Sequence, residues 1–175
     1  MYLCKEMYEL DIYRYNNEID RWTKHFLYYF RKVSTVNDRI TKYWFRFCYN
    51  RICKKHGIEI GRDVTIGKGF YIGHPYNITI NSDAVLGNNI NIHKGVTIGR
   101  ENRGKRKGTP QIGDMVWIGI NATIVGNIKI GNDVLIAPNT YVNCDIPDHS
   151  VVFGNPCQIR QVANATIDYI NNAVG

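Results

Sequence analysis

Ile112-Gly-Asp-Met-Val-Trp-Ile118-Gly-Ile-Asn-Ala-Thr-Ile124-Val-Gly-Asn-Ile-Lys-Ile130-Gly-Asn-Asp-Val-Leu-Ile136 sets an isoleucine at every sixth position, and Val142 continues the series. Upstream the same interval joins Ile60, Ile66 and Ile72; after two extra residues it resumes at Ile80, Leu86, Ile92 and Ile98, and a loop then precedes Ile112. Gly commonly follows the aliphatic (Gly61, Gly67, Gly73, Gly87, Gly113, Gly119, Gly131), and small or β-branched residues recur four places on, as at Val64, Ala84, Val96 and Ala122. Neither a helical nor a simple strand period produces this pattern. Each hexad reads as a short strand and a bend, and three hexads close one triangular coil. Successive coils stack at about the 4.8 Å strand spacing, so the aliphatics fill a narrow prism. Glycine is expected to supply the backbone freedom at each bend. A dozen or so hexads predict a parallel β-helix of roughly four coils, spanning residues 57–157.

Outside that stretch the composition changes. Residues 1–56 contain no Gly or Pro and are rich in Tyr, Arg, Lys and Trp. Segments around 17–32 and 38–56 read as helices, with Asn37 or Ser34 as a cap for the second and Gly57 at its C-terminus. Residues 158–175 form a C-terminal tail. The whole chain has 175 residues, a net charge of +7 and 44% hydrophobic residues, which excludes a disordered polyelectrolyte. No stretch approaches the roughly 20 apolar residues of a membrane span, and no apolar segment follows Lys5 and Glu6 as a secretory signal would, so the expected location is cytoplasmic. The five cysteines (Cys4, Cys48, Cys53, Cys144, Cys157) form no C-x-x-C pair and read as incidental thiols.

The hexads, with Tyr71-Ile-Gly-His74, Val96-Thr-Ile-Gly99, Gly126-Asn-Ile-Lys-Ile-Gly131 and the ending Gly154-Asn-Pro-Cys-Gln-Ile159, resemble the hexapeptide-repeat acyltransferases, in particular the serine O-acetyltransferase branch and its polysaccharide-modifying cousins. The likeness covers about residues 57–160 and extends weakly to Asp11-Ile-Tyr-Arg-Tyr15. It implies a left-handed β-helix, a homotrimer with active sites between subunits, acetyl-CoA as donor and no metal.

His74 is the candidate catalytic residue. It sits just before the two-residue interruption at Ile78-Thr79, and an exposed side chain beside a bulge is a common place for a site. By position alone it is either a base or a solvated turn histidine; the resemblance assigns it the role of general base. An imidazole with a pKa near 6.5 is mostly neutral at neutral pH and can take the proton of an attacking hydroxyl. Glu59, fifteen residues earlier, stands where the family has an Asp. The resemblance makes it the group that orients the imidazole; spacing alone leaves it a surface residue of the first coil.

Stacking puts Lys94 above His74 and Ile120 above Lys94. Lys94 then faces either the substrate or bulk water. By the resemblance, Gly119, Ile120, Ala137 and Pro138 flank CoA and Arg160 lies near its nucleotide. The loop from Arg100 to Gln111 carries five basic residues and one acid, and reads either as a wrap over a neighbouring site that holds an anion or as a solvated excursion. Near its end the serine branch has an Arg-His pair, where this chain has Gly108 and Thr109. The acid that precedes the family's histidine is replaced by Gly73. These departures favour a sugar or glycan-precursor hydroxyl over serine as acceptor, with Thr109 and Lys94 as substrate-side residues.

The stripe Ile40, Tyr43, Trp44, Phe47 and Cys48 among basic residues either packs on the first coil or the trimer, or touches an anionic membrane face. Two rivals of other classes are a γ-type carbonic anhydrase using His56, His74 and His93, and a noncatalytic basic solenoid on nucleic acid. Neither accounts for the His74 segment together with the Gly154-Asn-Pro ending, so no nucleic-acid partner is expected.

Overall fold

The computed structural model describes residues 2–175, and their side chains from residue 5 onward. Three helices, α1 (Tyr2–Tyr13), α2 (Arg21–Thr35) and α3 (Arg39–His56), lead into the solenoid. The helical segment thus ends where the composition changes, but α1 and the bounds of α2 differ from expectation. The caps differ too. Asp20 accepts from the Trp22 and Thr23 amides, and Asp38 accepts from the Thr41 amide, while the Ser34 hydroxyl turns back on the Arg31 carbonyl. A carboxylate at the N-cap satisfies orphan amides and complements the helix dipole. Gly57 ends α3 at φ 63°, the left-handed conformation expected of it.

From Glu59 onward short strands form three parallel sheets, the faces of a left-handed β-helix five strands deep on its first face. The first sheet stacks Glu59–Ile60, Thr79–Ile80, Thr97–Gly99, Thr123–Val125 and Tyr141–Val142; the second runs from Thr65–Ile66 to Lys129–Ile130. The third stacks Tyr71–Gly73, Asn91–His93, Val116–Ile118, Val134–Ile136 and Ser150–Phe153, with Gln158–Gln161 added antiparallel. Equivalent positions recur after 20 residues across the bulge (Glu59 to Thr79), 18 in the regular coils (Thr79 to Thr97) and 26 across the loop (Thr97 to Thr123). The hexad aliphatics are buried in vertical files, such as Ile72, Ile92, Ile118, Ile136 and Val152.

The role expected of the hexad glycines is corrected. The left-handed bend positions are mainly polar residues: Asn77, Asn89, Asn121, Asn139 and Asp133 all have φ between 52° and 58°. Asn and Asp tolerate this region because their side chains bond locally. Gly61 and Gly119 instead make room for the next coil. A Cβ on Gly61 would lie 2.5 Å from the Ser82 Cα, and one on Gly119 would lie 2.6 Å from the Pro138 nitrogen.

The helices cover the end of the prism at the first coil. Arg31 forms a buried, two-pronged ion pair with Asp11 at 2.7 and 2.9 Å. It also donates to the carbonyls of Ile66 (2.8 Å) and Gly67 (2.7 Å), while Asp11 accepts from the Phe70 amide. Tyr49 donates to the Ile60 carbonyl, and the Tyr15 hydroxyl accepts from the Ile72 amide at 2.8 Å. The tail is more than a loose end: past Gln161 it runs down the third sheet as a strap. Asp133 holds Thr166 there, and Asn89 exchanges two hydrogen bonds with the Val174 backbone. Cys48, Cys53, Cys144 and Cys157 are free thiols, with Cys144 and Cys157 sulfurs 3.7 Å apart; the Cys4 side chain lies outside the described residues.

Candidate active site

His74 follows the third-sheet strand of the first coil and turns the chain toward the first sheet. It is exposed and has φ 55°, where glycine or asparagine would be at ease.

Lys94 does not stack over His74 as the spacing predicts, because the two extra residues of this coil are taken up at His74 and Pro75. The Gly95 amide bonds the Tyr76 carbonyl as Asn121 bonds Lys94 and Asn139 bonds Ile120, so the file is Tyr76, Lys94, Ile120 and Pro138, with His74 on the bulge beside it. Gly119 and Ala137 lie beside them, tied by the Gly119 amide to the Ile136 carbonyl and the Asn139 amide to the Ile120 carbonyl, each at 2.8 Å. The residues inferred for base, anion contact and donor cleft thus form one edge, between the third and first sheets. Lys94 and Pro138 are exposed, whereas Gly119 is buried in the corner.

The other inferred residues lie elsewhere. Glu59 is exposed at the start of the first-sheet strand of coil one, paired with Thr79, and among the described residues no hydrogen bond or ion pair joins it to His74. Thr109 is on a different edge, between the first and second sheets, with its hydroxyl donating to the Asp83 carbonyl at 2.9 Å. Arg160 is exposed on the antiparallel last strand, opposite Val151. The loop carrying Lys105, Arg106 and Lys107 is tied to the solenoid. Glu101 and Gly108 exchange backbone bonds, and the Asn127 amide donates to the Arg106 carbonyl.

His93 was the residue sequence reasoning undervalued. Its ring packs 4.8 Å from Trp117 and fills the space a side chain at position 73 would need, since a Cβ on Gly73 would run into its Nδ1. Burial, with a smaller contribution from His74, lowers its pKa to about 4, so it is neutral at pH 7. Its Nε2 is buried without a partner. The signal for it was register: position 93 lies directly above Gly73. His93 borders a cleft of about 480 Å³ on the third sheet, lined also by Tyr71, Trp117, Tyr169, Arg14 and Glu18. His56, by contrast, lies against Trp22 with ring centroids 3.6 Å apart, and burial lowers its pKa. Among the described residues no group of three His, Cys, Asp or Glu converges as a metal site would require.

A model of the bacterial transferase hexapeptide family (six repeats) matches residues 109–144. Serine acetyltransferase 2 of Arabidopsis thaliana is 37% identical over 113 residues, covering 65% of this chain and 35% of that protein. A serine acetyltransferase of Staphylococcus aureus is 39% identical over 103 residues, 59% of this chain and 48% of its own length. The solved serine acetyltransferase of Neisseria gonorrhoeae in complex with serine superposes with a TM-score of 0.71 at 28% identity, covering 91% of this chain and 69% of that one. The chain spans about a third to a half of the length of the curated relatives it matches. The chain carries hexapeptide repeats, and the relatives and structural neighbours named above are serine acetyltransferases, within the hexapeptide acyltransferase superfamily.

Proposed function

We propose that the chain is an acetyl-CoA-dependent O-acetyltransferase with His74 as its general base. The observation that carries this reading is the single edge shared by the left-handed His74 and the file of Lys94, Ile120 and Pro138. In the reaction, His74 takes the proton of the acceptor hydroxyl as its oxygen attacks the thioester carbonyl. The tetrahedral oxyanion then collapses. The C–S bond breaks, the imidazolium protonates the departing thiolate, and an acetyl ester and free CoA result. Neutral His93 adjoins the base without placing a second positive charge beside the imidazolium. Gly119, Ile120, Ala137 and Pro138 flank the donor, Arg160 meets its nucleotide end, and Lys94 offers a cation to an anionic group. The orienting role of Glu59 rests on the resemblance, which has an Asp at its place, and not on a contact with His74.

The matched relatives favour serine as acceptor, because serine acetyltransferase is the name each carries. A second reading, a sugar or glycan hydroxyl, is favoured by this chain's own residues. Gly73, Gly108 and Thr109 present no charge to an amino acid, and His93 occupies the space where an acid at position 73 would project. The adjoining cleft also offers the rings of Tyr71, Trp117 and Tyr169.

Thiol release from acetyl-CoA, measured with serine and with a panel of sugars, tests both levels. His74→Ala is expected to lower the best rate by about 10² to 10⁴. A folded variant that transfers acetyl at the parent's rate would refute the mechanism, and the preferred acceptor decides between serine and sugar.

A further inference from the structure

We infer that the outward face of α3 docks on an anionic lipid membrane, a property independent of the catalytic reading. At 3.6 residues per turn, Ile40, Tyr43, Trp44 and Phe47 fall on one side of the helix. Tyr49 and Cys53, its buried residues, fall on the other, and the bond from Tyr49 to the Ile60 carbonyl fixes that inner side against the solenoid. The stripe therefore packs on nothing within the chain: Ile40 is 82% exposed, Tyr43 75%, Trp44 61% and Phe47 53%. The Trp44 and Phe47 rings stack with centroids 6.1 Å apart, forming one continuous apolar patch.

Charge identifies the occupant. Arg39, Arg51 and Lys54 border the patch, all exposed and, among the described residues, in no ion pair. Neither α2 nor α3 contains an Asp or Glu. A second copy of this face would bring Arg39, Arg51 and Lys54 against the same cations, with only the capping carboxylate of Asp38, already engaged by the Thr41 amide, as an acid beside them. Nucleic acid would be met by rings and an isoleucine at the centre of the patch, where phosphates need cations. A lipid surface satisfies both parts: Trp and Tyr settle at the headgroup level, the apolar side chains enter the acyl boundary, and the flanking cations meet anionic headgroups.

The test is co-sedimentation of the full chain with vesicles of phosphatidylcholine alone or with one-third phosphatidylglycerol. The chain is expected to pellet with the anionic vesicles only, and less at high salt. Tyr43→Ser/Trp44→Ser/Phe47→Ser is expected to lower that partitioning at least ~10-fold at an unchanged thermal midpoint, because these side chains support no packing. Arg51→Gln/Lys54→Gln should weaken binding to anionic vesicles while keeping the patch. Failure of the parent chain to pellet with anionic vesicles overturns the inference. So does pelleting of the triple variant equal to the parent's, or a triple variant that sediments as a smaller assembly in lipid-free buffer, since the face would then be a subunit contact.

Discussion

At position 74 the chain gives a left-handed corner to an exposed histidine, where most neighbouring bends have Asn or Asp. The imidazole is thereby aimed from the edge of the prism. One coil above, His93 has replaced the side chain that Gly73 lacks. Its folded-state pKa of about 4 lies below its ordinary 6.5 because burial disfavours the charged ring. The unfolded chain therefore binds a proton at a pH where the folded chain refuses it. The stability contributed by keeping this ring neutral is complete above pH 6.5 and is lost as the pH falls toward about 4. Urea unfolding at pH 7 and pH 5 should show that loss, and His93→Leu should reduce it. Part remains in the variant, because the His56 pKa is shifted in the same direction. An equal loss in parent and variant would show that His93 does not titrate in this way.

At the scale of elements, the helices and the prism are joined through buried charge. Asp11 is fully buried, and desolvation raises its pKa even though Arg31 and the Phe70 amide pull it back. Arg31 also satisfies two carbonyls at the rim of the first coil, so it connects α1, α2 and the solenoid. Arg31→Ala would leave a carboxylate and two carbonyls without their partner. It is expected to cost about 3–5 kcal/mol in chemical denaturation, the penalty of an uncompensated buried charge. Asp11→Leu/Arg31→Met, which removes both charges, should cost clearly less. A double variant as unstable as Arg31→Ala would place the energy in packing instead.

For the whole molecule, the separation of His74 and Thr109 onto different edges has a consequence for assembly. One chain cannot bring both to one acceptor, but neighbouring prisms in a threefold ring can set the His74 edge of one against the Thr109 edge of the next. A homotrimer with sites between subunits is the assembly we propose. Sedimentation equilibrium should give three times the 20.2 kDa chain mass. A stable, fully active monomer would place the entire site on one edge and remove Thr109 from it.

The repeat was legible because its physics is local in sequence: six residues make one strand and one bend, and every coil must offer the same small cross-section to the next. That period determined the solenoid, the stacking of Ile120 on Lys94 and the point at which the helices give way to strands, but not which residue of the bulged first coil lies under Lys94, where Tyr76 stands in place of His74. It could not assign work within the bends, where asparagines turned out to hold the left-handed backbone while hexad glycines clear space for the coil above. Helical spacing named the stripe of α3 but left open whether the chain covers it, and nothing in the period anticipated the caps at Asp20 and Asp38 or the strap that ties Val174 to Asn89, 85 positions away. Those features, and the insertion of His93 over Gly73, were decided by tertiary structure. They depend on which surfaces meet after the coils have stacked, and no interval along the chain records which residue will face another across a sheet, a helix or the end of a prism.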